Sequence, residues 1–238
     1  MTQPQRMQSL LWLSRNQRAD VFPPASEALA EPNGLLAVGG DLEPERLLAA
    51  YKQGIFPWYQ SGQPILWWSP DPRAVLWPSR LKVSRSLHRS LTKRRFEFRV
   101  DTEFERVVAG CAEPRRYGGG TWITPEMATA YARLHEQGWA HSFETWADGE
   151  LVGGLYGVGI GRAFFGESMF TRVTDASKVA LVHAVAFLSA RGTEVIDCQV
   201  ASAHTQSLGA VDIPRAQFLD LIAELCAESA QPQTWRFA

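Results

Sequence analysis

Two polar side chains stand two positions apart in a segment that otherwise has the composition of a core strand. The segment Glu-Val-Ile-Asp-Cys-Gln-Val runs from Glu194 to Val200. Side chains of a strand alternate between its two faces, so Asp197 and Gln199 are expected to share one face. A carboxylate carries charge, and an amide both donates and accepts hydrogen bonds. Such a pair could orient a polar or cationic reactant.

A second carboxylate lies in apolar surroundings, since Glu167 falls within the aromatic run from Phe164 to Phe170. Buried polar groups are costly unless they have partners or a use. We therefore interpret Glu167, Asp197 and Gln199 as one polar site in an apolar wall. A solvated edge strand is the alternative that the same spacing allows, whereas the flanking apolar residues favour a central strand.

The elements around this site follow a recognisable order. Turn signals and hydrophobic periodicity predict, in sequence, a helix over 124–138, three antiparallel strands with turns at 148–149 and 159–161, a helix over 176–191, the strand of Asp197 and a helix over 214–226. This order resembles the acyltransferase core of the GNAT fold. The expected fold class is α+β, with a mostly antiparallel central sheet flanked by helices.

The first part of the chain differs in composition from the rest. Residues 1–72 are rich in proline, glycine and tryptophan, and four of the nine tryptophans lie within 58–77. We predict a small N-terminal domain over 1–72 and a GNAT-like domain over 73–238. The aromatic residues either pack this small domain against the larger one or form one wall of a ligand cleft, an alternative that concerns Tyr51 and Trp58.

Charge is distributed unevenly, although the net charge of −1 by itself indicates no partner. Between Arg80 and Arg99 eight basic residues accompany a single acidic one. Arg85, Arg89 and Lys93 recur every four residues, which on a helix makes a basic ridge. The ridge is either a solvated helix face or a contact for the phosphates of a nucleic acid.

Several classes of site and location are not indicated. The three cysteines are widely spaced and form no Cys-x-x-Cys pair, which argues for reduced thiols and against a zinc site. We expect no metal and no cofactor. We also expect a cytoplasmic monomer without a membrane span, because no segment has about 18 consecutive apolar residues.

A series of long motifs runs in order from about residue 22 to 215. The motifs are Glu31-Pro32-Asn33-Gly34-Leu35-Leu36, Gly39-Gly40-Asp41-Leu42, Gly54-Ile55-Phe56-Pro57-Trp58, Trp67-Trp68-Ser69-Pro70-Asp71-Pro72-Arg73, Gly120-Thr121-Trp122-Ile123-Thr124, Gly166-Glu167-Ser168-Met169-Phe170, Ala176-Ser177-Lys178 and Ile196-Asp197-Cys198-Gln199. Together they are similar to one known family, the leucyl/phenylalanyl-tRNA–protein transferases. The resemblance implies transfer of leucine or phenylalanine from aminoacyl-tRNA to the N-terminal arginine or lysine of a protein. That product is marked for degradation by the N-degron route.

The resemblance also implies roles for individual residues. The catalytic residues it assigns are Asp197, Gln199 and Glu167. The pocket for the aminoacyl and terminal adenosine groups maps to Tyr51, Trp58, Trp122, Tyr131, Leu155, Phe164 and Leu181, and the tRNA-binding residues are Arg85, Arg89, Lys93 and Arg94. Two features depart from the family pattern: Ala184, where relatives can carry a larger aromatic residue, and the loop 117–120.

Two rival functions compete with this interpretation. Another GNAT-type acyltransferase is the first, using acetyl-CoA or acting as a peptidoglycan-type aminoacyltransferase. Acetyl-CoA users need a glycine-rich turn that opens a helix at the pyrophosphate, and no such turn precedes the helix at Ala176. An RNA-binding protein without enzymatic activity is the second, and it leaves Glu167, Asp197 and Gln199 unexplained.

Overall fold

The computed structural model describes residues 10–92, 95–114, 122–227 and 231–235 of the 238-residue chain. The described strands form two sheets, one of four strands and one of seven. The first sheet ends at Trp68 and the second begins at Arg73. Among the described residues no helix is long and apolar enough to cross a membrane.

The four-stranded sheet has the order β1-β2-β4-β3. Its strands are β1 (Leu11–Leu13), β2 (Leu35–Gly39), β3 (Phe56–Pro57) and β4 (Leu66–Trp68). Helix α1 (Pro44–Lys52) connects β2 to β3 and begins with a proline, whose missing N–H costs nothing at that position. Tyr51, in the last turn of α1, is fully buried and points into the larger part of the protein.

The seven-stranded sheet has the order β11-β5-β10-β9-β8-β7-β6. Its strands are β5 (Arg73–Leu76), β6 (Glu97–Val100), β7 (Ala140–Ala147), β8 (Glu150–Ile160), β9 (Ala163–Thr171), β10 (Val195–Gln199) and β11 (Val211–Ile213). The β9–β10 pair is parallel, and the other pairs of this sheet are antiparallel. β10 lies in the interior of the sheet, so the predicted central strand is confirmed.

Helices cover both faces of the large sheet. They are α2 (Arg85–Thr92), α3 (Phe104–Ala112), α4 (Pro125–Glu136), α5 (Ala176–Ala190), α6 (Ala203–Ser207) and α7 (Arg215–Leu225). The side chain of Thr124 caps α4 by accepting a hydrogen bond from the N–H of Met127. The predicted order of helix, three antiparallel strands, helix, strand and helix is confirmed except that α6 and β11 lie between the last strand and the last helix of the prediction. The predicted α+β class, with a mostly antiparallel sheet flanked by helices, is confirmed.

Two core clusters lie on opposite faces of the large sheet. The first core cluster joins both sheets and includes Tyr51, Trp67, Val75, Tyr131, Tyr156 and Phe165. The second core cluster lies under α5 and includes Leu155, Phe164, Leu181, Ala184, Ile196 and Trp235. Neighbouring residues of β8, β9 and β10 alternate between the two clusters, as the period of two requires.

Candidate active site

Both strands that carry the predicted polar residues are bulged where those residues occur. On β9, Gly166 pairs with Gly157 and Ser168 pairs with Tyr156, so Glu167 is the extra residue. On β10 the register with β5 skips one residue between Asp197 and Gln199. Bulges of this kind re-aim side chains and are common beside active sites.

The pairing of β9 with β10 also ends at this level. The last paired residues are Asp197 and Phe165, after which β9 continues while β10 closes with Gln199 at a positive φ of 55°. This left-handed conformation is uncommon for a residue other than glycine. The two strands therefore diverge at the site, and the polar side chains lie at the mouth of the gap.

Glu167 is held by two tyrosines from different helices. The Tyr51 hydroxyl lies 2.7 Å from Oε1 of Glu167, and the Tyr131 hydroxyl lies 2.6 Å from Oε2. The two hydroxyls are 2.7 Å from each other. Both tyrosines are fully buried, so they lie behind Glu167 instead of facing an open cavity.

The surroundings of Glu167 favour its neutral form. Removal from water raises the pKa of its carboxyl group to about 7, and the negative charge of Asp197 adds to the increase. The hydrogen bonds from Tyr131 and Tyr51, together with the positive charge of Arg73, oppose the increase. Burial and the charge of Glu167 also raise the pKa of both tyrosines well above the ordinary value.

Asp197 is fully engaged inside the protein. Arg73 Nε donates to its Oδ1 at 2.8 Å and Arg73 Nη2 donates to its Oδ2 at 2.6 Å. The backbone N–H of Gln199 donates to Oδ1 at 2.9 Å. Asp197 thus fixes the backbone of Gln199, and Arg73 together with this N–H occupies its carboxylate.

Arg73 is the site residue that sequence reasoning missed. It ends the motif Trp67–Arg73, which was the available signal, and its Nη1 also donates to the carbonyl of Gly54 at 3.1 Å. Gln199, by contrast, reaches Glu167 as expected, with Nε2 at 3.4 Å from Oε1. The structure thus brings the three predicted polar residues together but gives Asp197 a supporting position.

A cavity of about 730 Å³ opens in front of Glu167 and Gln199. Most of the residues that line it belong to the first sheet with its β3–β4 connection, or to the end of β10 and the β10–α6 connection. The lining residues are Phe56, Pro57, Trp58, Tyr59, Gln60, Gln63, Leu66, Trp68, Cys111, Glu113, Trp122, Glu167, Cys198, Gln199, Val200, Ala201 and Ser202. Trp58 and Trp122, two of the predicted pocket residues, line this cavity. Trp58 is 46% exposed and contacts Trp68 at its rim.

Three predicted pocket residues lie elsewhere. Leu155, Phe164 and Leu181 belong to the second core cluster, on the other face of the sheet from the tyrosines. The structure does not bring them together with Tyr51 and Tyr131. The reason is strand alternation, because Leu155 and Phe164 immediately precede Tyr156 and Phe165, which face the first core cluster.

The basic ridge begins on α2. Arg85 and Arg89 are exposed there, whereas Leu87 is buried. In the described part of the chain neither arginine forms an ion pair. Lys93 and Arg94 lie outside the described residues, as does the loop 117–120.

No group of three or more potential metal ligands occurs among the residues that the structure describes.

The polar group at the gap between β9 and β10 is suited to orienting a nucleophile, as an acyltransferase requires. The family is identified by sequence: residues 75–223 match the model of the leucyl/phenylalanyl-tRNA protein transferases, and residues 40–71 match that of their N-terminal domain. The chain belongs to this family of aminoacyltransferases.

Relatives named leucyl/phenylalanyl-tRNA–protein transferase match nearly the whole chain. The protein of Aromatoleum aromaticum is 61% identical over 214 residues, covering 90% of each chain. That of Nitrosomonas eutropha is 58% identical over 216 residues, covering 91% of this chain and 92% of its own. Among solved structures, L-PGS from Bacillus licheniformis has a TM-score of 0.39 and 11% identity, covering 71% of this chain and 54% of its own.

Proposed function

We propose that this chain transfers leucine or phenylalanine from aminoacyl-tRNA to the N-terminal arginine or lysine of acceptor proteins, which marks them for the N-degron route. The observation that carries this proposal is the 61% identity to a transferase of that name across 90% of both chains. The match includes the segments that hold Tyr51, Arg73, Glu167, Asp197 and Gln199.

The transfer reaction requires the protein mainly to hold the aminoacyl ester and the α-amine in position. The donor is an activated ester, and the nucleophile is an α-amine whose pKa is ordinarily near about 8, so no strong base is needed. Holding the two reactants together can supply several kcal/mol, and donors to the developing oxyanion supply more. We assign Gln199 the role of orienting the amine through its carbonyl oxygen, with Asp197 fixing its backbone.

Charge at the cavity suits a cationic acceptor. Two of the lining residues, Glu113 and Glu167, carry carboxyl groups. Glu113 is hydrogen bonded to Arg172, and Asp197 behind the cavity is paired with Arg73. Glu167 forms no ion pair within the described ranges, so it is the group we assign to the positive charge of the acceptor's first residue.

The donor is assigned to the apolar and aromatic side of the cavity. Trp58 and Trp122 offer stacking surfaces for the terminal adenosine, which are worth about 1 to 3 kcal/mol per base. Cys198 lines the cavity and also packs against the second core cluster, so the two are contiguous where β9 and β10 diverge. We assign the aminoacyl side chain to this edge of the cavity.

The remaining assignments concern the tRNA body and the setting. Arg85, Arg89, Lys93 and Arg94 would contact the backbone of the acceptor stem without reading its sequence. Because the donor is aminoacyl-tRNA, we assign the protein to the cytoplasm, and we expect a monomer.

The test is transfer of radiolabelled leucine from leucyl-tRNA to two proteins that differ only in an N-terminal arginine or glycine. We expect label on the arginine form alone. A parallel reaction with labelled acetyl-CoA separates this function from acetyl transfer. Acetylation without leucine transfer would support the acetyltransferase instead, and tRNA binding without any transfer would support an RNA-binding protein.

A further inference from the structure

Three oxygen–oxygen contacts of hydrogen-bonding length join the side chains of Tyr51, Tyr131 and Glu167 into a closed triangle. They join Tyr51 to Oε1 at 2.7 Å, Tyr131 to Oε2 at 2.6 Å, and the two tyrosine hydroxyls to each other at 2.7 Å. Each contact of this length requires one hydrogen between its two oxygens. The triangle therefore needs three hydrogens.

An ionised carboxylate leaves the triangle one hydrogen short. Each tyrosine supplies one hydrogen, and a carboxylate supplies none. If both hydroxyls donate to Glu167, the two phenolic oxygens face each other at 2.7 Å with lone pairs only. If one tyrosine donates to the other, a contact to the carboxylate loses its hydrogen instead. Neither arrangement satisfies all three distances.

A protonated carboxyl group closes the triangle. Gln199 Nε2 approaches Oε1, the oxygen that Tyr51 also contacts, so Oε1 is the accepting oxygen. The acidic hydrogen then lies on Oε2 and is donated to Tyr131. Tyr131 donates to Tyr51, and Tyr51 donates back to Oε1. Every short contact has one donor and one acceptor.

We propose that Glu167 is the third hydrogen donor of a closed ring with Tyr51 and Tyr131, and that it releases its proton when the cationic first residue of an acceptor binds beside it. The second half of this statement rests on the proposed function. The free protein thus presents a neutral carboxyl group to its cavity. When the acceptor binds, Glu167 loses its proton, and the resulting carboxylate pairs with the positive charge of the acceptor.

The groups around Glu167 on every packed element are consistent with this state. Those that can carry charge are Tyr51 of α1, Tyr131 of α4, Tyr156 of β8, Cys111 of α3, Asp197 and Cys198 of β10 and Arg73 of β5. Burial raises the pKa of Tyr156 and of Cys198, so both remain neutral. The charges of Arg73 and Asp197 compensate each other, so the protonation of Glu167 depends mainly on its burial, which raises its pKa to about 7.

The exchange breaks a single O–H bond. The carboxyl group becomes a carboxylate, and the proton passes to solvent through the cavity that Glu167 lines. A cation placed next to a carboxyl group favours the ionised form, so binding and proton release occur together. After release both tyrosines donate to the carboxylate, which relaxes the contact between their oxygens.

The first experiment examines the free protein, which makes it independent of any transfer activity. Infrared difference spectra of the wild type and the variant Glu167→Gln should contain a protonated carboxyl band near neutral pH that only the wild type shows. The band should disappear as the pH rises through about 7. The glutamine side chain can accept from Tyr51 and donate to Tyr131, so the variant keeps the ring. Absence of a band assignable to Glu167 would overturn the proposal.

The second experiment measures proton release on binding of a peptide with N-terminal arginine, by titration calorimetry in buffers of different ionisation enthalpy. At about pH 6 the wild type should release about one proton more per peptide than Glu167→Gln does. Equal release by both proteins would overturn the coupling to the acceptor. If the infrared band is present but leucine transfer fails, the proposed function is wrong and the proposed ring around Glu167 still holds.

Discussion

Arg73 and Asp197 face each other through two parallel hydrogen bonds, at 2.8 and 2.6 Å, and each side chain is only 1% exposed. The guanidinium carbon of Arg73 also lies 4.8 Å from the ring centroid of Phe56 and 4.5 Å from that of Phe218. The charges compensate each other inside the protein, and the pair positions the backbone of Gln199 without touching the cavity.

Breaking this pair on one side should strongly destabilise the protein. Arg73→Met leaves Asp197 buried without its cation, and we expect the free energy of unfolding to fall by about 3 to 5 kcal/mol. Urea denaturation measures the change. The double variant Arg73→Met/Asp197→Leu removes both charges and should be more stable than Arg73→Met alone. Simple addition of the two single effects would contradict a coupled pair.

Stability should depend on pH through Glu167. Its pKa rises from an ordinary 4.5 to about 7 on folding, so the native state binds the proton more tightly than the unfolded state. The contribution of Glu167 is full below about pH 4.5 and is lost as the pH rises to about 7, which lowers the free energy of unfolding by at most roughly 3 kcal/mol.

The matched control for this effect is Glu167→Gln, which keeps a hydrogen-bonding side chain but cannot titrate. Denaturation midpoints between pH 4.5 and 8 should vary less in the variant than in the wild type. Parallel pH profiles for the two proteins would show that other groups cause the dependence.

Binding of aminoacyl-tRNA should weaken with salt, in part through α2. Arg85→Ala and Arg89→Ala should each reduce affinity and lower the slope of log K against log salt by about 0.7 to 0.9. Filter binding at several salt concentrations measures both quantities. Arg18→Ala removes an arginine that is also exposed but is paired with Asp20, and it should leave the slope unchanged. A slope that is the same in the wild type and in both variants would exclude α2 from the tRNA contact.

Trp58 should contribute to donor binding and not to folding. Its side chain is 46% exposed at the cavity, so Trp58→Ala should raise the KM for leucyl-tRNA by an amount worth about 1 to 3 kcal/mol, with little change in Tm. Trp12→Ala is the control, since Trp12 is 68% exposed and does not line this cavity. The same rise in KM for both variants would contradict a stacking role for Trp58.

Local rules were sufficient for part of the site. The apolar composition around Asp197 predicted a central strand, and Gln199 does reach Glu167, although a bulge between Asp197 and Gln199 interrupts the expected alternation. The capping threonine and the following proline gave the start of α4, which carries Tyr131. These features depend on neighbours in the chain, where period and capping chemistry decide the outcome.

Features that depend on distant pairing were not predictable. Arg73 and Asp197 are 124 residues apart and meet because β5 pairs with β10, a register that no local pattern encodes. The bulge at Glu167 is a property of the β8–β9 pairing. The position of Phe164 on the face opposite the tyrosines, by contrast, follows from alternation along β9.

The surroundings of Arg73 also set the moment at which a newly made chain becomes competent. Its guanidinium contacts the carbonyl of Gly54, the carboxylate of β10 and the ring of Phe218 in α7, the last helix. Phe56 of the first sheet is made before Arg73, but Arg73 lacks its carboxylate until β10 is made and its contact with Phe218 until α7 follows. A chain truncated before β10 therefore has no carboxylate for Arg73 and cannot form the contact between Asp197 and the backbone of Gln199.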